Sequence, residues 1–224
     1  MTHNREQEAL SAYLNFLQSK GASKASLELR QAFLQDLLPV IAETFGRDLL
    51  YRNKLEALLE SKERATWPFC LSVAREFFLF WTQDIKAIAA LAADNGLDLE
   101  LAQWQPMESN LQTLWASLDK VTFDTAEMWP LKAYAQALRQ HAANNALIET
   151  RLKLVKLLVM RLRASTHKNQ NIYRTAVDQL IPMFEKKETR HLFSAVTHEF
   201  YYFWIGDPNA ADFVLSKNPI KGIV

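Results

Sequence analysis

The sequence predicts an all-α protein built as two similar four-helix units, an internal duplication joined by a partly helical connector. Three observations carry that reading. Turn-forming residues are scarce, with 5 Gly and 7 Pro in 224 residues, while Leu and Ala abound and β-branched runs are few. Apolar side chains recur at spacings of three, four and seven, the stripe of an amphipathic helix. A pattern laid down in the first hundred residues then returns about 120 residues later, the mark of repeated units.

The first helix is expected over Arg5–Ser19, with Leu10, Tyr13, Leu14 and Leu17 on one face. Gly21 ends it, because glycine tolerates the left-handed turn after a helix. Ser23 reads as the N-cap of a second helix, Lys24 to Leu38, which Pro39 should end or kink. A third helix follows near Leu49–Glu60. Thr66 reads as the cap of a fourth, with Pro68 in its first turn. This helix carries Phe77, Phe78, Phe80 and Trp81 and is expected to continue to Ala93. Asp94-Asn95-Gly96 is a stop signal. The units are therefore set at 1–93 and 129–224, with a connector over 94–128 that includes one amphipathic piece around Leu111, Leu114, Trp115 and Leu118.

After Trp129-Pro130 the pattern resumes. Tyr134 and Leu138 lie 121 residues after Tyr13 and Leu17, and Asn144 stands where Ser23 stood. Ala146, Glu149 and Arg151 repeat Ala25, Glu28 and Arg30 at that same offset. Tyr173-Arg174 repeats Tyr51-Arg52 at 122, and Thr189 repeats Thr66 at 123. Glu199-Phe200-Tyr201-Tyr202-Phe203-Trp204 repeats Glu76-Phe77-Phe78-Leu79-Phe80-Trp81, also at 123. The recurring rings are expected to anchor each core, since each can bury about 150–250 Å². Base stacking is the alternative role for them. Glu28 and Glu149 sit near helix starts, where an acid suits the helix dipole. Tyr51 and Tyr173 are expected to pack while their hydroxyls reach polar surface.

Net charge is +1, but it is unevenly spread. Residues 1–112 carry 11 basic and 15 acidic side chains, and residues 113–224 carry 15 and 10. Between Arg139 and Arg174 there are eight basic residues and one acid, Glu149. On the helix 147–165, Lys153, Lys156 and Arg163 gather opposite an apolar face, followed by Arg161, His167, Lys168 and Arg174. The first copy's equivalent helix carries Asp36 and Glu43 instead. A basic stripe can contact phosphates and release counterions, or it can be a solvated helix face.

Several chemistries find no support. One cysteine, Cys70, excludes an internal disulfide and reads as a buried, inert thiol. There is no glycine-rich phosphate loop and no nucleophile elbow. Glu188-x-x-His191 has di-iron spacing but lacks the second such pair, and His198 beside it does not complete a metal site. No cofactor or metal is expected. The polar start MTHNREQEAL lacks the apolar core of a signal peptide, and no apolar run is long enough to span a membrane. A reducing cytoplasm is the expected compartment.

Four groups of residues bear a resemblance: Tyr13-Leu14-x-x-Leu17; Gly21-Ala22-Ser23-x-x-Ser26-Leu27; Phe33-Leu34; and Val73-Ala74-Arg75-Glu76-Phe77-Phe78-x-Phe80. Together, Ala9 to Trp81 resembles the N-terminal core-binding (SAM-like) domain of tyrosine recombinases and phage integrases. The resemblance is clear over about a third of the chain and fainter over Tyr134–Trp204. It implies a four-helix unit that clamps DNA, largely through backbone phosphates. Recombinases also need a catalytic domain with Arg, His-x-x-Arg and a Tyr nucleophile. His141, His167, His191 and His198 all lack an Arg at the third following position. The resemblance therefore implies the binding half without the cutting half. The expected function is non-catalytic DNA binding, with Lys153, Lys156, Arg161, Arg163, His167, Lys168 and Arg174 as candidate contacts, joined by Ser23 and Lys24 of the first unit. The alternative is a helical protein–protein interaction or scaffold module, with a protein partner or self-association.

Overall fold

Helix-forming composition with few glycines produces ten α-helices and no strand among the described residues. The computed structural model describes residues 2–42, 44–45, 47–93, 97–100, 111–163, 165 and 168–215. The chain divides into two compact units between residues 106 and 107. No helix among the described residues is long and apolar enough to cross a membrane.

In the first unit, α1 (Thr2–Ser19), α2 (Lys24–Ile41), α3 (Asp48–Glu60), α4 (Trp67–Thr82) and α5 (Ile85–Ala93) follow in order. Gly21, at φ +96°, ends α1 as predicted. Its N–H bonds Gln18 and that of Ala22 bonds Leu17, the paired bonds of a Schellman turn. Ser23 caps α2 by accepting from Ser26 N–H at 3.2 Å.

Pro39 does not end α2, which runs on to Ile41. One missing ladder bond is offset by burying Ile41 completely. Thr66 stands at the N-cap of α4 with Pro68 in the first turn, as expected, but its side chain caps no helix N–H: the hydroxyl donates back to the Glu63 carbonyl at 2.7 Å, beside the backbone bond that closes a 3-10 turn, Arg64–Thr66. The aromatic helix stops at Gln83 instead of reaching Ala93. Gln83 adopts φ +57°, and Asp84 then caps α5 through the Ala87 N–H at 2.9 Å.

The second unit contains α6 (Leu111–Leu118), α7 (Thr125–Gln140), α8 (Asn145–Leu162), α9 (Gln170–Leu180) and α10 (Lys187–Ile205). α7 begins five residues ahead of Pro130, behind a capping box in which Asp124 and Glu127 exchange bonds with each other's backbone N–H. Asn144 caps α8 as expected. Thr189 lies inside α10, whose N-cap is Lys186. The expected connector 94–128 is shared out: residues 97–100 lie on α2, and α6 packs on α8, with Leu118 in the second core.

Each core surrounds a buried polar triad. In the first unit, Arg30 Nη1 donates to Tyr13 Oη at 2.6 Å and to Glu76 Oε2 at 2.5 Å, and the tyrosine hydroxyl donates to the same carboxylate oxygen at 2.6 Å. In the second, Arg151, Tyr134 and Glu199 make the same three bonds at 3.1, 2.6 and 2.7 Å. The rings around each triad also correspond. Tyr13 meets Phe77 and Phe80 at 6.1 and 5.4 Å; Tyr134 meets Phe200 and Phe203 at 5.8 and 5.3 Å. Tyr51 and Tyr173 do not turn their hydroxyls outward. They donate inward, to the carbonyls of Ala74 at 3.1 Å and Thr197 at 2.6 Å. These bonds tie α3 to α4 and α9 to α10.

Burial, and then the neighbouring Glu76 carboxylate, push the Tyr13 phenol well above 10; the Tyr134 phenol rises through burial and Glu199. Burial works against the arginine charges, but the triad partners more than restore it, so Arg30 and Arg151 hold their protons more tightly than usual. Burial also pushes the Cys70 thiol up to about 11.

Removing one member of a buried ion pair strands the other charge. Glu76→Ala and Glu199→Ala should each cost about 3 kcal/mol or more by urea unfolding. Tyr13→Phe and Tyr134→Phe, which leave the ion pair intact, should cost about 1 kcal/mol. The folded state favours the neutral phenols of Tyr13, Tyr51, Tyr134 and Tyr173. Their contribution is complete below the ordinary phenol value near 10 and is lost as pH rises above it. Unfolding free energy should therefore hold to about pH 9 and fall steeply beyond about pH 10. Cys70 should resist alkylation at about pH 8 until the first unit unfolds.

Candidate nucleic-acid interface

Lys153 and Lys156 on α8 and Arg163 at its C-cap fall within an arc of about 80° along about 15 Å of helix axis. Lys153 and Arg163 are exposed, and Lys156 is half-buried. α6 and the turn after it run beside this stripe and place aromatic rings under the cations. Lys153 Nζ stands 4.5 Å from the Trp115 ring, Lys156 Nζ 5.8 Å from Phe123, and the Arg163 guanidinium 5.1 Å from Phe123. Such cation–π contacts hold the side chains extended along the surface.

Arg163 is also bound by the cap of α7. Its Nε and Nη2 donate to the two oxygens of Glu127 at 2.5 and 2.6 Å, and Nη2 donates to the Thr122 carbonyl at 2.7 Å. Hydrogen bonding from Arg163 holds the Glu127 carboxyl below its usual range and raises Arg163 in return. This fork-on-fork pair neutralises one end of the stripe.

The other expected contacts are scattered. Arg161 is turned away, with Nε donating to Gln179 Oε1 at 2.6 Å, and burial lowers its pKa. Lys168 is exposed beside the last turn of α10, with Nζ 3.5 Å from the Trp204 carbonyl and 5.7 Å from its ring. There it complements the negative end of the helix. Arg174 is half-buried near Tyr201. His167 lies outside the described residues. Of the eight basic residues between 139 and 174, Arg151 belongs to the buried triad. The surface is thus less positive than the sequence count.

In the first unit, Lys24 is exposed, with a long contact of 3.7 Å to Glu28. Ser23 is occupied. Its N–H and hydroxyl donate to the two oxygens of Glu100, at 2.7 and 2.5 Å. Beside it, Ser26 Oγ donates to the Leu99 carbonyl at 2.5 Å and Arg30 Nη2 to the Asp98 carbonyl at 2.7 Å. Residues 97–100 therefore form a strap across the first half of α2. Sequence reasoning passed over it, although two acids follow closely on the stop signal.

Elsewhere, Glu188 and His191 are exposed, and His198 packs edge-on to Tyr202 at 5.6 Å. Glu127→Gln, which weakens the pair with Arg163 while keeping the side chain's length, should lower stability by about 1 kcal/mol in thermal or urea unfolding. Comparison with protein-family models, with curated proteins and with solved structures finds no match to this chain.

Proposed function

We propose that this chain is a non-catalytic DNA-binding protein whose second unit holds DNA through its phosphates. Lys153 and Lys156 carry the reading: two cations on one face of α8, each laid against an aromatic ring, with Arg163 at the end of the row held by Glu127. Lys168 is a further exposed cation of the same unit. The recombinase resemblance and the helix order of the first unit support the same reading. Arg161, Arg163 and Ser23 contribute little to it, because their donors are engaged with Gln179, Glu127 and Glu100. Lys24 of the first unit remains available for a phosphate.

We also infer that the two units are copies of one ancestral unit. Three correspondences at offsets of 121–123 residues support this: the triads, the inward tyrosine hydroxyls and the helix-ending turns. A single buried thiol suits the reducing cytoplasm. A second reading, docking to a protein partner or to another copy, rests on Trp129, which stands 65 % exposed on α7.

The DNA reading is tested by gel shift or fluorescence anisotropy with a short duplex over a salt series. Binding should weaken linearly on a log–log plot. Lys153→Gln, Lys156→Gln and Arg163→Gln combined should flatten the slope by about 2, the share of the two lysines. Binding that ignores salt, or that survives the triple change intact, overturns it. A strict monomer with no retained partner, unchanged by Trp129→Ala, removes the second reading.

A further inference from the structure

Each nitrogen of the Arg30 guanidinium in the first unit has a partner. Nη1 serves Tyr13 and Glu76, Nε reaches Ser26 Oγ at 3.4 Å, and Nη2 holds the Asp98 carbonyl of the strap. The second unit presents the same arginine without that surrounding. Arg151 Nη1 binds Tyr134 and Glu199, but its Nε is buried with no partner. Leu147 stands where Ser26 stood, so the hydroxyl that would bridge Nε to a passing carbonyl is missing. Nor does the described segment after α10 take the strap's place. Phe213 stacks on Tyr202 at 3.6 Å, and Leu215 N–H goes to the glutamate of the triad, Glu199 Oε1, at 3.2 Å. Arg30 is wholly covered, whereas Arg151 keeps 8 % of its surface. An orphaned donor on a buried guanidinium is costly unless something fills it.

We propose that the Asn144–Arg151 face of α8 is a binding track for an extended acidic peptide of a partner protein, seated as the first unit seats its own residues 97–100. The chemistry of the occupant follows from the strap. Two successive carbonyls, of Asp98 and Leu99, face the arginine and Ser26, and the next side chain, Glu100, places its carboxylate at the start of the helix. In the second unit the start of α8 is capped by Asn144, and Arg139 is exposed just ahead of it. A carboxylate arriving there meets the positive end of the helix. The track does not depend on DNA binding, and the basic stripe at Lys153, Lys156 and Arg163 is not part of it.

The test uses the full chain, nitrogen-labelled, with the arginine Nε–H signals followed by NMR. The probe is a blocked peptide of residues 95–102, Asn-Gly-Leu-Asp-Leu-Glu-Leu-Ala. The Arg151 Nε–H signal should shift saturably while that of Arg30, already engaged, stays in place. Leu147→Ser restores the bridging hydroxyl and should tighten binding roughly threefold or more. Replacing the peptide's glutamate with glutamine should weaken binding by about the same factor. Any of these results overturns the proposal: no shift of Arg151 at about 1 mM peptide; no gain from Leu147→Ser; or a shift produced by duplex DNA and not by peptide. An Arg151 signal that moves on removal of residues 216–224, with no peptide present, also overturns it, since the chain's own end is then the occupant.

Discussion

An arginine inside a helical core is tolerable only where a carboxylate waits for it, and each unit of this protein is arranged around one such meeting. Arg30 and Arg151 lie among rings, not in water. Each is held by a glutamate from the aromatic helix, α4 or α10, and a tyrosine from α1 or α7. The triad therefore fixes the relative setting of three helices at once. Apolar packing alone would let helices slide by a turn at modest cost. Slippage here would separate a buried ion pair, which costs far more. The triad thus selects one register among several that leucine-rich helices could adopt.

What the units share and what they do not fall on different parts of each fold. The polar triad, the inward tyrosines and the surrounding rings recur. The periphery diverges. The first unit carries a strap on α2, whereas the second carries α6 along α8 and aromatic rings beneath its lysines. Binding functions belong to surfaces free to change, so the difference between α2 and α8 is where this protein's activity is to be sought. The pairing of Arg163 with Glu127 shows how a stripe that is strongly basic in sequence becomes a milder, patterned face.

The helices and most of their caps were legible, because the signals are local. Ser23, Gly21 and Asn144 act through bonds to residues within five positions. The errors were also local rules overridden by distant packing. Pro39 stays within α2 because Ile41 is needed in the core. The triads were hidden for another reason. A charged residue reads as surface until its counter-charge is found, and that charge lies 46 to 48 residues away. The clue available in sequence was the joint recurrence of Tyr, Arg and Glu at nearly one offset. Nothing local announced that α6 would lie beside the basic stripe.

The triads also bear on the order in which the chain is made. The tyrosine and arginine of each unit emerge from the ribosome early, and the glutamate comes last, 63 to 65 residues after the tyrosine. Until the aromatic helix is complete, the arginine has no counter-charge, so the earlier three helices have reason to stay loose and hydrated. Each unit is then committed late and all at once, by contacts of long sequence separation. The first unit reaches that point about 120 residues before the second, early enough to fold while the rest is still being synthesised. Two cores with matching triads then spend less time unfolded together, which limits the exchange of helices between them.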